Sequence, residues 1–369
     1  MNRKLKVGVI GCGNISDSYF EHARNYEFME IMACADILQS AVQAKAEKYK
    51  LKAMSVSELL TDNNIAVVIN LTTPKAHAVV NKQILEAGKH VYCEKPFGLN
   101  RKEAEEILEL AEKNNLLVGC APDTFLGEGQ QLSRKVIDES WIGQPVAGTA
   151  FMMCGGHESW HPNAGFYYLK GGGPVLDMGP YYFTTLVNML GPVESVSAMV
   201  SRSGDRIATS DAMNGQILSV EVNTHVTGLI KFKSNPIITF AMSFDVINHD
   251  CPHIQIHGTE GSINVPDPNT FKGPVKLANQ NTKEFNELPY RSELKNNWRG
   301  LGVADMALSL IEDYPHRASG KLAYHVLDVM LSLEDSAEQK KELEVKSTCE
   351  RPLAMPVIKS TGKSLISNG

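Results

Sequence analysis

The sequence predicts an α/β domain with a doubly wound parallel sheet, followed by an α+β domain with a large, mostly antiparallel, open-faced sheet. Three observations lead to this prediction: alternating apolar and amphipathic stretches from residue 5 to 120, a glycine turn directly after the first apolar run, and long strand-like runs after residue 123. The 369-residue chain also exceeds the ~250 to 300 residues at which single cores stop growing. We therefore expect two domains, at residues 1–123 and 124–369.

The first domain contains five predicted strands, which are apolar throughout and are therefore expected to be covered on both faces. The strands are predicted at residues 6–10, 31–35, 67–71, 90–93 and 117–120. Residues 101–114 between the last two are typical of a helix, because their apolar positions recur at helical spacing. This alternation predicts a parallel sheet with helices on both sides.

The second domain begins with two predicted helices and continues with strands. The helices are expected near residues 130–139 and 175–190, and the strand-like runs at 220–232 and 237–246 are joined by the tight turn Ser234–Asn235–Pro236. Residues 253–265 predict another hairpin, and two helices near 303–313 and 321–339 follow. The pattern indicates an antiparallel sheet with helices on one face.

Composition and charge exclude several classes of partner. The net charge of −6 is spread along the chain, which does not favour a nucleic acid or an anionic membrane as a partner. Seven cysteines without a CxxC pair indicate free thiols in a reducing compartment, for which the cytoplasm fits best. The sequence shows neither a secretory leader nor an apolar run of ~18 residues, the length of a membrane span.

The glycine turn predicts a dinucleotide site. Gly11, Gly13, Asn14 and Ile15 follow the first strand and open a helix, so that backbone N–H groups can face a pyrophosphate. Ser16 replaces the third glycine of the usual pattern, but it is small enough for close helix packing. The strand–turn–helix context supports an otherwise weak motif.

Asp36 predicts NAD(H) in preference to NADP(H). It ends the second strand about twenty residues after the turn, where a carboxylate accepts hydrogen bonds from ribose hydroxyls and repels a 2′-phosphate. The residues that follow it include no cation for that phosphate. The alternative is that Asp36 caps the next helix.

The end of the strand at residues 67–71 predicts further cofactor contacts. Thr72, Thr73 and Pro74 lie at the carboxyl edge of the sheet, where open α/β folds bind their ligands. His77 lies a few residues into the next helix and is either a cofactor contact or a packed residue.

Two further motifs make the prediction specific. Glu94–Lys95–Pro96 ends the strand at 90–93, and a segment from Gly171 to Tyr181 contains three glycines, Asp177 and Gly179. With the glycine turn and the residues 257–261, they resemble the Gfo/Idh/MocA oxidoreductase family, in order along nearly the whole chain. The resemblance implies that Glu94, Lys95 and Pro96 border the nicotinamide.

The resemblance also implies a catalytic cluster of Lys95, Asp177 and Tyr181. Family members carry a histidine where this chain has Tyr181, and a tyrosine ordinarily titrates near ~10, far above the pH of a neutral base. We expect Lys95 to polarise the substrate oxygen and Tyr181 to accept the hydroxyl proton, while Asp177 orients Lys95 or a substrate hydroxyl. Lys95 as a surface residue, Asp177 as a helix cap and Tyr181 as a core residue are the alternatives.

The segment 157–161 reads His-Glu-Ser-Trp-His, the H-E-x-x-H pattern of zinc proteases. That pattern needs a helix to bring both histidines to one face, whereas two glycines precede this segment and Pro162 follows it. We therefore predict no metal site.

The same segment predicts a substrate loop, because sugars and polyols need polar groups for their hydroxyls and an aromatic ring for their apolar face. The expected substrate contacts are Asp123, His157, Glu158, Trp160, His161, Asn163 and Tyr167. His253 is a further candidate, and an ordinary surface loop is the alternative.

The sequence thus predicts an NAD(H)-dependent dehydrogenase or reductase that acts on a CH–OH or carbonyl group of a sugar, sugar derivative or cyclitol, bound between the two domains. An NAD-dependent glycosidase that uses transient oxidation and a non-catalytic NAD(H) sensor are the alternatives. The family resemblance also implies a homo-oligomer, either dimer or tetramer, because members of the family commonly associate through the exposed face of the second sheet.

Overall fold

The computed structural model describes residues 4–289 and 298–356. The described residues form two compact units, one from residues 4–126, 298–324 and 352–356, the other from residues 127–289 and 325–351. The predicted boundary near residue 123 lies close to the first division, but residues 298–324, which the sequence prediction assigned to the second domain, group with the first unit. In the described part, no helix is long and apolar enough to cross a membrane.

The first unit is built on a parallel sheet, as predicted. Among the described residues its order is β3-β2-β1-β4-β5-β6, and every neighbouring pair is parallel. The strands are β1 (Leu5–Ile10), β2 (Met29–Ala35), β3 (Lys52–Ala53), β4 (Val67–Asn70), β5 (His90–Cys93) and β6 (Val118–Cys120). Since all run in one direction, the carboxyl ends of β1, β2, β4 and β5 meet at one edge, where the predicted cofactor residues follow.

Helices connect these strands, and a later segment closes the sheet. The helices are α1 (Asn14–His22), α2 (Gln39–Tyr49), α3 (Val56–Thr61), α4 (Pro74–Glu86) and α5 (Arg101–Lys113). Strand β6 is the last of the sheet, and its edge is covered by residues 318–319, where the Cys120 N–H donates to the Ala318 carbonyl over 3.0 Å. The covered edge is protected from pairing with another strand.

The second unit is built on a larger, mixed sheet. In the described ranges it has nine strands, in the order β16-β15-β14-β13-β7-β12-β11-β8-β17, all antiparallel to their neighbours except the parallel pair β7 and β12. Its strands, with the separate pair β9–β10, are β7 (Pro145–Met153), β8 (Val193–Ser201), β9 (Arg206–Ile207), β10 (Ile217–Leu218), β11 (His225–Phe232), β12 (Ile237–Ser243), β13 (Ile254–Gly258), β14 (Gly261–Val265), β15 (Lys276–Asn279), β16 (Asn286–Glu287) and β17 (Leu343–Glu344). The predicted α+β class is confirmed.

The two faces of this sheet differ. The remaining helices are α6 (Glu128–Asp138), α7 (Pro174–Leu190), α8 (Leu301–Glu312) and α9 (Gly320–Gln339), of which α7 packs on β7, β11 and β12. On the opposite face, Met199, Leu229 and Ile237 are exposed, and the cross-strand register places them on the same side. We call these three residues the open-face patch.

Candidate active site

The glycine turn joins β1 to α1, and its two glycines differ in backbone angle and in the space around them. Gly11 has φ of +107°, and a Cβ there would lie 2.5 Å from the Leu71 carbonyl carbon, so the close approach of the turn to the end of β4 requires glycine. Gly13 has an ordinary φ of −72°, and a Cβ there would meet no atom within 4 Å. Gly13 therefore leaves open space in front of α1, as a dinucleotide pyrophosphate needs.

The first turn of α1 divides into exposed and buried residues. Asn14 begins the helix and Ile15 follows, and both are exposed. Ser16 is fully buried, and its hydroxyl donates to the Gly13 carbonyl over 2.6 Å. The residue in the third-glycine position therefore packs inward and also fixes the turn.

Asp36 follows β2 and is tied to the glycine turn. Its Oδ2 accepts the Cys12 N–H over 2.7 Å, and its Oδ1 accepts the Leu38 N–H over 2.9 Å. Leu38, not Asp36, occupies the cap position of α2, so the capping alternative does not apply. The half-buried carboxylate is held at the carboxyl edge of the sheet, and its oxygens have further lone pairs for ribose hydroxyls.

Asn70 shapes the loop after β4. This fully buried side chain accepts hydrogen bonds from the Thr72 N–H over 3.1 Å and the Thr72 hydroxyl over 2.7 Å, and donates to the His77 carbonyl. Thr73 caps α4, and Pro74 is its first residue. Thr72 is therefore held at the sheet edge by a residue that the sequence prediction did not select, although a polar residue ending an apolar strand was a visible signal.

His77 joins two loops at this edge. Its ring nitrogens lie 2.9 Å from the Pro96 carbonyl and 2.9 Å from the Thr72 carbonyl, and because carbonyls only accept, both nitrogens donate. Burial alone would lower the pKa of His77, but Cys93 and the two carbonyls raise the pKa to about 9. His77 is 1% exposed, so it is a positioning residue for both loops rather than a cofactor contact.

Glu94 anchors the segment that carries Lys95. Its carboxylate accepts the Tyr19 hydroxyl over 2.8 Å and the Lys95 N–H over 3.0 Å, and the residue is buried. Lys95 is half-buried, and a cis peptide bond joins it to Pro96. The segment is therefore held on one side by Glu94 and on the other by His77.

Asp123 does not reach a surface at which a substrate could bind. Its carboxylate is 0% exposed, accepts the Gly300 and Gly302 N–H groups over 2.7 and 3.2 Å, and lies 3.4 Å from Arg299. Burial raises its pKa above the ordinary value. We correct the expectation of a substrate contact: Asp123 holds the start of α8.

Helix α7 carries the second catalytic motif. Its cap is Gly173, with φ of +89°, and Pro174 is its first residue, so Asp177 does not cap the helix. Asp177 is followed one turn later by Tyr181, which is buried. The neighbouring Tyr182 donates instead to the Phe151 carbonyl over 3.2 Å and lies 2.9 Å from the ring of His253, so this tyrosine and His253 belong to the sheet packing.

The segment at 157–161 forms turns and no helix, as its glycines and Pro162 predicted. Across residues 4–289 and 298–356, no group of three or more histidine, cysteine, aspartate or glutamate side chains is arranged to hold a metal ion.

Glu158 holds the loop that contains it. Its carboxylate pairs with Arg206 over 2.7 Å and accepts the Tyr168 hydroxyl, which in turn accepts the His157 N–H over 3.0 Å. Burial opposes the charge of Glu158, but these partners lower its pKa below the ordinary value. Because both oxygens are engaged within the protein, we leave Glu158 out of the proposed substrate contacts.

The loop between β7 and α7 contains a cluster of aromatic rings. His157 stacks on Tyr167 at 3.8 Å between centroids, and His161 meets Tyr167 edge-on at 5.2 Å. Trp160 is 61% exposed and lies 5.4 Å from the His157 ring. Asn163 is exposed, and its N–H donates to the His161 ring.

His157 and Asp177 meet within the second unit. The imidazole Nε2 lies 3.6 Å from Asp177 Oδ2, and the two side chains are 10% and 15% exposed. The sequence selected both residues but not their pairing, because residues twenty apart on a loop and a helix show no common spacing. Of the predicted substrate contacts, His157 therefore lies beside Asp177 of the predicted catalytic motif.

Family comparison identifies both parts of the chain. A model described as "Oxidoreductase family, NAD-binding Rossmann fold" matches residues 5–121, and one described as "GFO/IDH/MocA C-terminal domain" matches residues 131–264. The matches follow one another as the predicted domains do.

Individual relatives are named as enzymes of sugars and cyclitols. Inositol 2-dehydrogenase of Salmonella paratyphi B is 30% identical over 147 residues, 38% of this chain but only 44% of that protein, so the match spans less than half of the relative. D-glucoside 3-dehydrogenase of Escherichia coli is 25% identical over 92% of this chain and 97% of its own. The structure of levoglucosan dehydrogenase with NADH and levoglucosan has a TM-score of 0.80 at 18% identity, covering 94% of this chain and 100% of that one, which shows the same fold.

Proposed function

The chain belongs to the Gfo/Idh/MocA family of oxidoreductases, and on this basis we propose that it is an NAD(H)-dependent dehydrogenase or reductase of a sugar, sugar derivative or cyclitol. The observation that supports this most is the aromatic and hydrogen-bonding loop around His157, which adjoins Asp177 on α7.

The residues at the carboxyl edge of the first sheet fit a dinucleotide. Gly13 leaves space at the start of α1, and Asn14, Ile15, Thr72, Thr73 and Pro74 border the same edge. We propose that they hold the pyrophosphate and the nicotinamide side, with Lys95 and Pro96 beside the ring. When bound, the nicotinamide accepts or donates a hydride.

The preference for NAD(H) over NADP(H) is proposed from Asp36. Its carboxylate is fixed by two backbone N–H groups and would repel a 2′-phosphate. Ile37 and Leu38, which follow, are exposed and uncharged.

Lys95, Asp177 and Tyr181 are the proposed catalytic residues. The Lys95 ammonium polarises the reacting oxygen, and the Tyr181 hydroxyl donates a hydrogen bond to the same oxygen. Asp177 orients the group that moves the proton.

Trp160, His161, Asn163 and Tyr167 are the proposed substrate contacts. An exposed indole suits the apolar face of a sugar or cyclitol ring, and the imidazole, amide and phenol groups suit its hydroxyls.

An absorbance screen of reduced nicotinamide against sugars and cyclitols, with both cofactors in parallel, tests the proposed function. We expect turnover with NAD(H) and a loss of roughly 10² to 10⁴-fold in Lys95→Ala. Lys113→Ala, a change of an exposed lysine on α5, serves as the control and should retain the wild-type rate.

Other outcomes contradict parts of the proposal. A preference for NADP(H) overturns the role of Asp36. Release of an aglycone without net change in absorbance would instead indicate a glycosidase, and tight NADH binding without turnover of any polyol would indicate a sensor.

The proposed compartment is the cytoplasm, since all seven cysteines of the chain are free thiols. We also propose that copies of the chain associate through the open-face patch, because contiguous exposed apolar side chains mark association surfaces.

A further inference from the structure

We propose that His157 is the acid/base of the reaction, carrying the proton that leaves or enters the substrate hydroxyl, with Asp177 as its partner. This inference rests on the proposed oxidoreductase function, and it assigns to His157 the proton transfer that the sequence analysis expected of Tyr181, which keeps a hydrogen bond to the same oxygen.

The geometry brings an imidazole and a carboxylate together in a nearly buried place. His157 Nε2 and Asp177 Oδ2 are 3.6 Å apart, which is ion-pair distance but longer than a hydrogen bond. Catalytic hydrogen bonds are often long before substrate binds and shorten in the complex. The Asp177 carboxylate stabilises the positive charge that the ring acquires when it takes a proton.

The ring is held in place by its neighbours. It stacks on Tyr167 at 3.8 Å with planes 14° apart, and the edge of Phe244 approaches at 4.6 Å. The backbone N–H of His157 donates to the Tyr168 hydroxyl. That hydroxyl donates in turn to Glu158, which is paired with Arg206. A ring fixed on both sides loses little entropy when it engages a substrate.

The charges around the ring favour a reversible proton carrier. Asp177 faces Nε2 from α7, while Arg206 of β9 pairs with both Glu158 and Asp245. The other titratable neighbours are the Tyr167 ring, which stacks on His157, and the Tyr168 hydroxyl, which accepts the backbone N–H of His157. The ring can therefore change charge next to a carboxylate that compensates it.

In the oxidation direction the substrate loses one proton and one hydride. The substrate O–H bond breaks and its proton moves to the His157 imidazole, while a bound nicotinamide would accept the C–H hydrogen together with its electron pair. The carbon–oxygen bond becomes a carbonyl, and the imidazolium then releases its proton to solvent. In the reduction direction His157 donates the proton to the forming hydroxyl.

Activity measurements on His157 variants test the assignment. His157→Asn should lower kcat by roughly 10² to 10⁴-fold while NADH affinity stays at the wild-type value. The acidic limb of the kcat/KM pH profile should disappear, and free imidazole should restore part of the activity of His157→Gly. His257→Asn is the matched control, because His257 pairs with Ala147 at the end of β7 distant from this loop.

A loss of activity without imidazole rescue and with an unchanged pH profile would assign His157 a structural role and overturn the proposal. So would a His157→Asn rate within about threefold of the wild type, since acid/base groups contribute far more than this.

A titration followed by NMR tests the pair without turnover. The His157 ring signal should titrate at a lower pH in Asp177→Asn than in the wild type, because the compensating charge is lost. An unchanged midpoint contradicts the pairing. If the wild type turns over no polyol, the proposed function fails while this measurement still decides whether Asp177 and His157 are coupled.

Discussion

Gly11 and Gly13 are two residues apart in one turn, yet only Gly11 is required by the protein's own packing. The positive φ of Gly11 and the nearby Leu71 backbone leave no room for a side chain. Gly13 has ordinary backbone angles and open space around its Cα. Its lack of a side chain fits the proposed approach of a pyrophosphate to the start of α1.

Alanine at each position separates these roles. Gly11→Ala should lower the free energy of unfolding by about 1–3 kcal/mol through backbone strain. Gly13→Ala should keep the wild-type stability within about 0.5 kcal/mol, because nothing in the chain meets its Cβ, but should weaken NADH binding at least about tenfold.

Thermal unfolding and fluorescence titration with NADH measure the two effects. If Gly13→Ala bound NADH as tightly as the wild type, the pyrophosphate would not lie at this turn.

Carboxylates show how far single residues could be predicted. Glu94 was selected from the family resemblance, Asp123 from its place at the predicted domain junction and Glu158 from its polar loop. Each is bound by a group remote in sequence: Tyr19, Gly300 and Arg206, respectively. The sequence shows where a carboxylate side chain stands, but not which hydrogen-bond donor it binds in the folded protein. Conversely, the resemblance implies a histidine at position 181, whereas the imidazole beside Asp177 is that of His157 on another element.

Elements with strong periodicity were predicted closely, and those without it were missed. The strands at residues 6–10 and 90–93 and the helix at 101–114 agree with β1, β5 and α5 within a residue. Strand β7 was not predicted, because its glycine and alanines weaken the strand pattern. It is nevertheless central, since its partners β12 and β13 come from residues about a hundred positions later.

Helix α9 contains a buried histidine that makes stability depend on pH. His325 Nε2 accepts the N–H of Val193 over 2.9 Å, so this nitrogen carries no proton, and Nδ1 lies 3.0 Å from the Ser347 hydroxyl. Burial lowers the pKa of His325 to about 4. In the unfolded chain a histidine has a pKa of ~6.5. The contribution of neutral, buried His325 to the free energy of unfolding is therefore complete above that pH and is lost as the pH falls through 4.

We expect the titration of His325 to lower the free energy of unfolding by about 3 kcal/mol as the pH falls from 6.5 to 4. His325→Gln keeps an acceptor for Val193 and a donor for Ser347 but does not titrate, so its unfolding free energy should change less over this range. Urea unfolding at a series of pH values gives the difference, and parallel curves for the two proteins would contradict the assignment.

At the scale of the molecule, the open-face patch predicts association. We expect the wild type to sediment as a dimer or tetramer, and Met199→Lys or Leu229→Lys to give smaller species, because a buried unpaired charge opposes contact. Ile311→Lys changes an exposed apolar residue of α8 and should leave the assembly unchanged. A monomeric wild type, or lysine variants that remain assembled, would contradict the proposed interface.

The fold class of both units was predicted from the sequence, but the assignment of residues to the two units was not. Periodicity is a local signal, and it assigned residues after 123 to one continuous domain. The edge of β6 and the Asp123 carboxylate are satisfied by backbone groups from residues 300–319. Such a pairing has no local pattern, so only the structure shows it.

The remote partners of Asp123 also impose an order on biosynthesis. When the first 126 residues leave the ribosome, this acid has none of its backbone donors, which lie 177 and 179 residues further along the chain. Domains usually fold as they emerge, with the N-terminal one first. Here the nucleotide-binding sheet is translated first but completed late, so a nascent chain stalled between the two segments would carry an unfinished first unit.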